Sequence, residues 1–153
     1  MVKEINSVGI IGAGQMGLGI AHVCASSSFN VNLLDIDQSV LDDAIKIIDK
    51  NLGRLASRGK ISEKEKKLAL SKIKTHTSFE SLSDCDLVIE AATENETIKN
   101  SIYKKVCPIL RKDTILSTNT SSISITRLAA QTDRPDKFMG IHFMNPAPLM
   151  ELI

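Results

Sequence analysis

The sequence predicts an α/β fold in which a doubly wound, mostly parallel sheet carries helices on both faces. Short apolar runs alternate with segments whose apolar residues recur every three or four positions, which is typical of strands alternating with helices. The first apolar run leads into a glycine-rich turn, Gly12-Ala-Gly-Gln-Met-Gly17, and a helix follows it. A strand, a glycine turn and a helix in this order form the opening unit of a parallel nucleotide-binding sheet.

The first strand, helix and second strand are predicted around this glycine turn. Val8–Ile11 is the apolar run before the turn, and Val31–Asp35 is the next strand. The helix between them is predicted to end near residues 26–28, where three serines follow one another. It carries four inward-facing apolar residues, Ile20, Ala21, Val23 and Cys24.

Two helices and a minor strand come next. From Val40 to Leu55 apolar residues recur at three- and four-residue steps, which predicts a long helix. Ser39, with Asp42 three residues later, is predicted to cap its start. Ser62-Glu-Lys-Glu65 matches a capping box more closely and opens a short charged helix, after which Ile73–His76 forms a minor strand.

The second half of the chain repeats the alternation. Asp86–Glu90 is predicted to be a buried strand because its apolar residues run without interruption. A helix around Thr97–Leu110 follows it, then the strand Thr114–Ser117, a helix near Ile123–Ala130 and the strand Phe138–His142. The chain contains no internal sequence repeats or low-complexity segments, and this order of strands and helices predicts one sheet with helices on both faces.

We expect residues 1–153 to form one domain. The chain contains no linker-like segment, and 42% hydrophobic with 24% charged residues is typical of a soluble globular protein. The last residues, Leu149–Ile153, resemble the beginning of a further strand, so the sequence predicts that the chain is cut there. Burial of roughly 70% of the unfolded surface is expected for a domain of this size.

Several classes of function are disfavoured by composition. A net charge of +1 gives no reason to expect nucleic acid as a partner, and no apolar run approaches the roughly 20 residues of a membrane span. No apolar signal region precedes the first strand, so we expect a cytoplasmic protein; an organelle form whose transit peptide has been removed would have the same sequence features. The three cysteines are widely spaced and lack paired Cys/His spacing, so neither a metal site nor a disulfide is expected.

The glycine turn matches the dinucleotide fingerprint of the Rossmann type of fold. Gly12 permits the tight turn, Gly14 lets the backbone approach a pyrophosphate, and Gly17 lets the helix pack against the sheet. Asp35 ends the second strand, where a carboxylate accepts hydrogen bonds from ribose hydroxyls and repels a 2′-phosphate. We therefore predict NAD rather than NADP as the cofactor. The alternative is a tight turn beside a solvated aspartate.

Other polar residues allow two interpretations each from the sequence alone. Thr93–Glu96 follows the strand at which a crevice is expected, and it fits either a ligand contact or a helix cap. Ser117–Ser122 fits either substrate binding or turn formation. His142 is a candidate proton acceptor, although a histidine at a strand end is more often structural.

Five segments together resemble the 3-hydroxyacyl-CoA dehydrogenase family, particularly bacterial 3-hydroxybutyryl-CoA dehydrogenases. The resemblance covers the whole chain, and its last two segments are specific to the family. The segments are Ile11-Gly-Ala-Gly-Gln-Met-Gly17, Asp84-Cys-Asp-Leu-Val-Ile-Glu-Ala-Ala92, Ser117-Thr-Asn-Thr-Ser-Ser-Ile-Ser-Ile-Thr126, Arg134-Pro-Asp-Lys137 and Gly140-Ile-His-Phe-Met-Asn-Pro-Ala-Pro148. Another β-hydroxyacid dehydrogenase with the same fold is disfavoured by the His-Phe-Met-Asn-Pro sequence.

The resemblance implies roles for individual residues. His142 is implied as the base that takes the proton of the substrate 3-hydroxyl, with Ser121 and Asn145 hydrogen-bonding the substrate oxygen. Asn51 and Arg58 fall near the family's CoA-binding positions, and no metal is implied. The implied NAD-binding residues are Gly12, Gly14, Gln15, Met16, Gly17, Asp35, Glu94 and Lys99.

The same resemblance implies the activity. We expect NAD-dependent oxidation of (S)-3-hydroxyacyl-CoA to 3-ketoacyl-CoA, or the reverse reduction, in fatty acid and butanoate metabolism. The family's helical C-terminal domain, which completes the acyl pocket and forms the homodimer, is expected to be absent. So is the glutamate that pairs with His142, which falls one position beyond Ile153, and Glu151 is not expected to replace it. The alternative function is therefore an NAD-binding fragment with little or no turnover.

Overall fold

A computed structural model describes residues 4–153, so residues 1–3 of the predicted domain lie outside the described part. The strands within the described part are β1 (Ser7–Ile11), β2 (Asn30–Leu34), β3 (Ile73–His76), β4 (Leu87–Glu90), β5 (Ile115–Thr118) and β6 (Phe138–Gly140). The α-helices there are α1 (Gln15–Ser26), α2 (Gln38–Ser57), α3 (Glu63–Ser71), α4 (Glu96–Val106) and α5 (Ile125–Ala129). Two short 3₁₀ helices, Phe79–Leu82 and Pro135–Lys137, precede β4 and β6.

The strands form one sheet in the order β3-β2-β1-β4-β5-β6, and each neighbouring pair is parallel. The order reverses between β1 and β4, where Val8 pairs with Leu87. Helices cover both faces of the sheet, and the predicted fold class is therefore confirmed.

The core has one layer on each face of the sheet. One layer joins α1, α2 and α3 to the sheet through residues such as Ile10, Ile20 and Ile48, each fully buried. The other layer joins α4 to the opposite face through Tyr103 and Leu116. Successive residues of β1 serve the two layers alternately, because side chains alternate along a strand.

Local sequence sets the helix ends. The predicted cap of α2 is wrong, and Thr93, for which a cap is one of two interpretations, does not cap α4. Asp37, not Ser39, caps α2: its carboxylate accepts the Ser39 N–H at 2.8 Å and the Ser39 hydroxyl at 2.7 Å. Asn95, not Thr93, caps α4 by accepting the Ile98 N–H at 3.1 Å. In both cases a side-chain oxygen one residue before the helix reaches the free N–H groups of the first turn. The capping box that begins at Ser62 is confirmed.

The end of the chain differs from the prediction. Strand β6 ends at Gly140 rather than at His142, because the last ladder bond runs from the Ile141 N–H to the Thr118 carbonyl. Leu149–Ile153 forms no strand. The Leu149 and Met150 N–H groups donate to the Pro146 carbonyl in a turn, so they are not available for strand pairing.

Candidate functional site

A crevice lies over the point where the strand order reverses, at the carboxyl ends of β1 and β4. It has a volume of about 310 Å³. Ligands of open α/β sheets bind at this position because the flanking loops separate there. The crevice is lined by Gly14, Gln15, Met16, Ala91, Ala92, Thr93, Glu94, Lys99 and Asn119.

Glycine is required at two positions of the turn by the close approach of backbone atoms. Gly12 has a φ of +99°, and a Cβ there would lie 2.6 Å from the Cα of Ala92. A Cβ on Gly17 would lie 1.7 Å from the Gly12 carbonyl oxygen. The glycine turn is therefore packed tightly against the start of α1 and against the loop after β4.

Gly14 differs from these two glycines because it faces open space. Apart from the adjoining backbone, no atom of residues 4–153 lies within 4 Å of a Cβ built there. Gly14 precedes α1, no described side chain caps this helix, and its first turn contains no acidic residue. The free N–H groups at the start of α1 and its positive dipole end can therefore receive a phosphate at this opening.

Asp35 is half-buried directly after β2 and has a structural role that the sequence did not reveal. One carboxylate oxygen accepts the Ala13 N–H at 2.8 Å, and the other accepts the Asp37 N–H at 3.1 Å. Asp35 thus joins the glycine turn to the loop that leads into α2. Each oxygen keeps a second acceptor position, so these bonds still allow a contact with ribose hydroxyls.

Glu94 organises the loop after β5. Its Oε1 accepts hydrogen bonds from the Thr120 hydroxyl at 2.5 Å, the Ser121 N–H at 2.8 Å and the Ser122 hydroxyl at 3.1 Å. Partial burial opposes ionisation, but these bonds and the charge of Lys99 outweigh it and lower the pKa of Glu94 from 4.5 to about 2. Glu94 is therefore ionised at neutral pH.

Lys99 lines the crevice although its side chain is only 1% exposed. Its Nζ is paired with the carboxylate of Glu90, which is fully buried, and donates to the Thr118 hydroxyl at 3.2 Å. The same Nζ lies 4.0 Å from the Glu94 Oε2. Lys99 therefore places a positive charge at the floor of the crevice, next to the carboxylate that holds the β5 loop.

The segment with His142 is joined to the crevice by the residue after it. The Phe143 N–H donates to the Asn119 Oδ1 at 2.8 Å, and Asn119 lines the crevice. Phe143 is 6% exposed and packs into the core layer of α1. A buried aromatic anchor and a hydrogen bond thus fix the chain directly after the half-buried His142.

Four other predicted site residues do not line the crevice. Ser121 is exposed, and its hydroxyl donates to Glu94 at 3.2 Å. Asn145 is exposed three residues after His142. Asn51 lies within α2 and Arg58 is the C-cap residue of that helix, so both lie on the helix pair α2–α3 and away from the crevice.

Two residues of the site were not singled out from the sequence. Asn119 lies within a polar loop whose members looked equivalent, and only the contact with Phe143 distinguishes it. Glu90 ends an apolar run that predicted burial, and a glutamate in a buried strand signals a partner that sequence alone does not name.

The described residues contain neither a candidate metal centre nor a membrane-spanning helix. No group of three or more His, Cys, Asp or Glu residues in the range 4–153 is placed to hold a metal ion. No helix found in that range combines the length and the apolar character needed to cross a membrane.

The family model described as 3-hydroxyacyl-CoA dehydrogenase, NAD binding domain, matches residues 7–153. The 3-hydroxybutyryl-CoA dehydrogenase of Bradyrhizobium diazoefficiens is 50% identical over 153 residues, which are 100% of this chain and 52% of that protein. A probable 3-hydroxybutyryl-CoA dehydrogenase of Deinococcus radiodurans is 47% identical over 145 residues, 95% of this chain and 52% of the relative. The chain thus spans about half the length of these relatives.

A solved structure agrees with this match. The crystal structure of (S)-3-hydroxybutyryl-CoA dehydrogenase from Ralstonia eutropha superimposes with a TM-score of 0.94 at 46% identity, over 96% of this chain and 52% of that one. The resemblance predicted from the five sequence segments is confirmed by these matches.

Proposed function

The chain belongs to the 3-hydroxyacyl-CoA dehydrogenase family, and we propose that it contributes the NAD binding domain to an enzyme that oxidises (S)-3-hydroxyacyl-CoA to 3-ketoacyl-CoA with NAD. The same enzyme is proposed to catalyse the reverse reduction. Among such substrates we propose 3-hydroxybutyryl-CoA, the substrate in the names of the relatives cited. The observation that carries the proposal is the hydrogen bond from Phe143 to Asn119, because it attaches the His142 segment to the nucleotide crevice.

The residues of the crevice fit the proposed cofactor. The open side of Gly14 and the free start of α1 suit a pyrophosphate, and Gln15 and Met16 line the same wall. Asp35 suits the adenosine ribose, and Glu94 and Lys99 also line the crevice. Bound there, NAD⁺ would supply the acceptor for the hydride that leaves the carbon carrying the substrate hydroxyl.

His142 is the proposed base in this reaction. It accepts the proton of the 3-hydroxyl while the C–H bond at C3 breaks, so the alcohol becomes a ketone. In the reverse direction it returns that proton to the oxygen. Ser121 and Asn145 are proposed to hydrogen-bond the substrate oxygen, for which the Ser121 hydroxyl exchanges its present contact with Glu94.

The remaining parts of the proposal concern substrate binding, assembly and location. We propose that Asn51, Arg58 and the basic residues near them bind the CoA group, because its phosphates are attracted by clustered positive charge. We also propose that the whole protein is a cytoplasmic homodimer whose helical C-terminal domain completes the acyl pocket. These parts depend on the family rather than on contacts described above.

A second candidate function is an NAD-binding module with little or no turnover. The fact that favours it is that the chain spans about half the length of its relatives. Assaying the 153-residue chain beside the full-length Bradyrhizobium relative distinguishes the two candidates. We expect the chain to bind NADH but to reduce acetoacetyl-CoA negligibly, and full activity of the chain would exclude the module.

Cofactor titration with Asp35→Ala tests the site itself. NADH fluorescence should report binding to the wild-type chain, tighter than that of NADPH. The variant should bind NADH about tenfold more weakly and lose the preference for NADH, because the carboxylate that repels a 2′-phosphate is gone. Asp43→Ala, at an exposed carboxylate of α2, is the control. If the affinities for NADH and NADPH fall by the same factor, Asp35 only holds the glycine turn.

A further inference from the structure

Glu90 and Lys99 form an ion pair with side chains 0% and 1% exposed. Removing two charges from water costs several kcal/mol each, and well-packed apolar residues of similar size often replace such pairs without loss of stability. Stability alone therefore does not explain this pair at the end of β4. Its position at the floor of the crevice indicates a role in the site.

The Glu90 carboxylate is held from three elements. Its Oε1 accepts the Ala92 N–H at 2.9 Å, and its Oε2 accepts the Tyr103 hydroxyl at 3.2 Å and the Thr118 hydroxyl at 3.0 Å. Ala92 is itself fixed, since its backbone packs against Gly12. With these donors in place the carboxylate has a fixed plane, and Lys99 binds to one defined oxygen, Oε2.

Lys99 links the fixed Glu90 carboxylate to the crevice. Its Nζ lies 4.0 Å from the Glu94 Oε2, and the other oxygen of Glu94 is occupied by the loop with Ser121. A displaced ammonium group would therefore change the charge at the crevice floor and the contact with Glu94 together.

We propose that Glu90 is a positioning residue for NAD(H) binding, which holds the Lys99 ammonium group where the crevice requires a positive charge. This inference rests on the proposed function, because it takes the crevice as the NAD(H) site. Glu90 is fully buried and does not line the crevice, whereas Lys99 does, so Glu90 acts through Lys99.

A double-mutant cycle on the 153-residue chain tests the proposal. Glu90→Asp keeps the charge that neutralises Lys99, but its shorter side chain does not reach Ala92 and Lys99 together. NADH dissociation constants and melting temperatures are measured for wild type, Glu90→Asp, Lys99→Met and the double variant. We expect each single variant to bind NADH about tenfold more weakly, and the double variant no more weakly than Lys99→Met.

Thr114→Val is the matched control, because it removes a buried hydroxyl that donates to the Cys85 carbonyl at 2.8 Å, at the opposite end of β5. It should lower the melting temperature and leave NADH binding unchanged. If Glu90→Asp does not fold, Thr118→Val replaces it in the same cycle. Unchanged NADH affinity in Glu90→Asp, or independent losses that multiply in the double variant, would overturn the proposal. A wild-type chain that fails to bind NADH would instead refute the proposed function.

Discussion

Replacing Glu94 by glutamine removes the charge that holds the loop of residues 120–122 while keeping the length of the side chain. In the folded protein the pKa of Glu94 is about 2, below its usual 4.5. That difference corresponds to about 3 kcal/mol. Because the Glu94 side chain is 45% exposed, solvent screening reduces the expected contribution to about 1–2 kcal/mol.

The pH dependence has a definite sign. A carboxylate whose folded pKa is lowered stabilises the fold above its unfolded pKa, and this stabilisation is lost as the pH falls from 4.5 toward 2. Glu94→Gln should therefore be less stable than wild type at pH 7, by about 4 °C in melting temperature. The gap between the two proteins should narrow below pH 4.5.

Urea unfolding at a series of pH values measures this difference directly, and amide exchange of Ser121 and Ser122 reports whether the loop loosens. Glu151→Gln is the control, since Glu151 is exposed near the end of the chain. Equal stability of Glu94→Gln and wild type at pH 7, or a gap that persists unchanged to pH 2, would refute the reasoning.

Three further predictions concern the glycine turn and the opposite end of the sheet. Gly17→Ala should cost 3 kcal/mol or more, on the order of a severe overpacking, because its Cβ would meet the Gly12 carbonyl oxygen. Gly14→Ala, whose Cβ faces open space, should leave the melting temperature unchanged but weaken NADH binding about tenfold. Thermal unfolding measures the first effect and NADH titration the second. Arg134→Lys should lower the free energy of unfolding, measured in urea, by about 3 kcal/mol. The buried guanidinium donates to the carbonyls of Arg111 at 2.6 Å and Cys107 at 2.9 Å, and a lysine ammonium group does not reach both. Unchanged urea midpoints for Arg134→Lys would show that water replaces these bonds.

The alternation of elements and the glycine turn could be predicted because they depend on local chemistry. Apolar periodicity reports which face of an element is buried, Gly17 is dictated by a contact with the Gly12 carbonyl in the same turn, and Gly12 by its positive φ. The helix caps were harder to predict. Asp37 and Ser39 both suit a cap, and only the backbone conformation decides which of them serves.

The polar contacts of the site could not be predicted, because they join residues distant in sequence. Glu94 meets Ser121, 27 positions later, and Asn119 meets Phe143, 24 positions later. Strand order decides such contacts, and a pattern along the chain does not contain it. The resemblance to a family named His142 and Lys99, but only the structure placed Glu90 behind Lys99.

The strand order also bears on how this chain folds during synthesis. Strand β1 pairs with β2 soon after both have left the ribosome, but its other edge waits for β4. Ser7 and Asp86, which hydrogen-bond at this junction, are 79 positions apart. Pairing over such a separation is slow, and an open strand edge invites association with other chains until it closes. Among the strand pairs of the described residues, the junction that forms the crevice therefore joins the segments most distant in sequence, and we expect substitutions there to lower the yield of folded protein as well as ligand affinity.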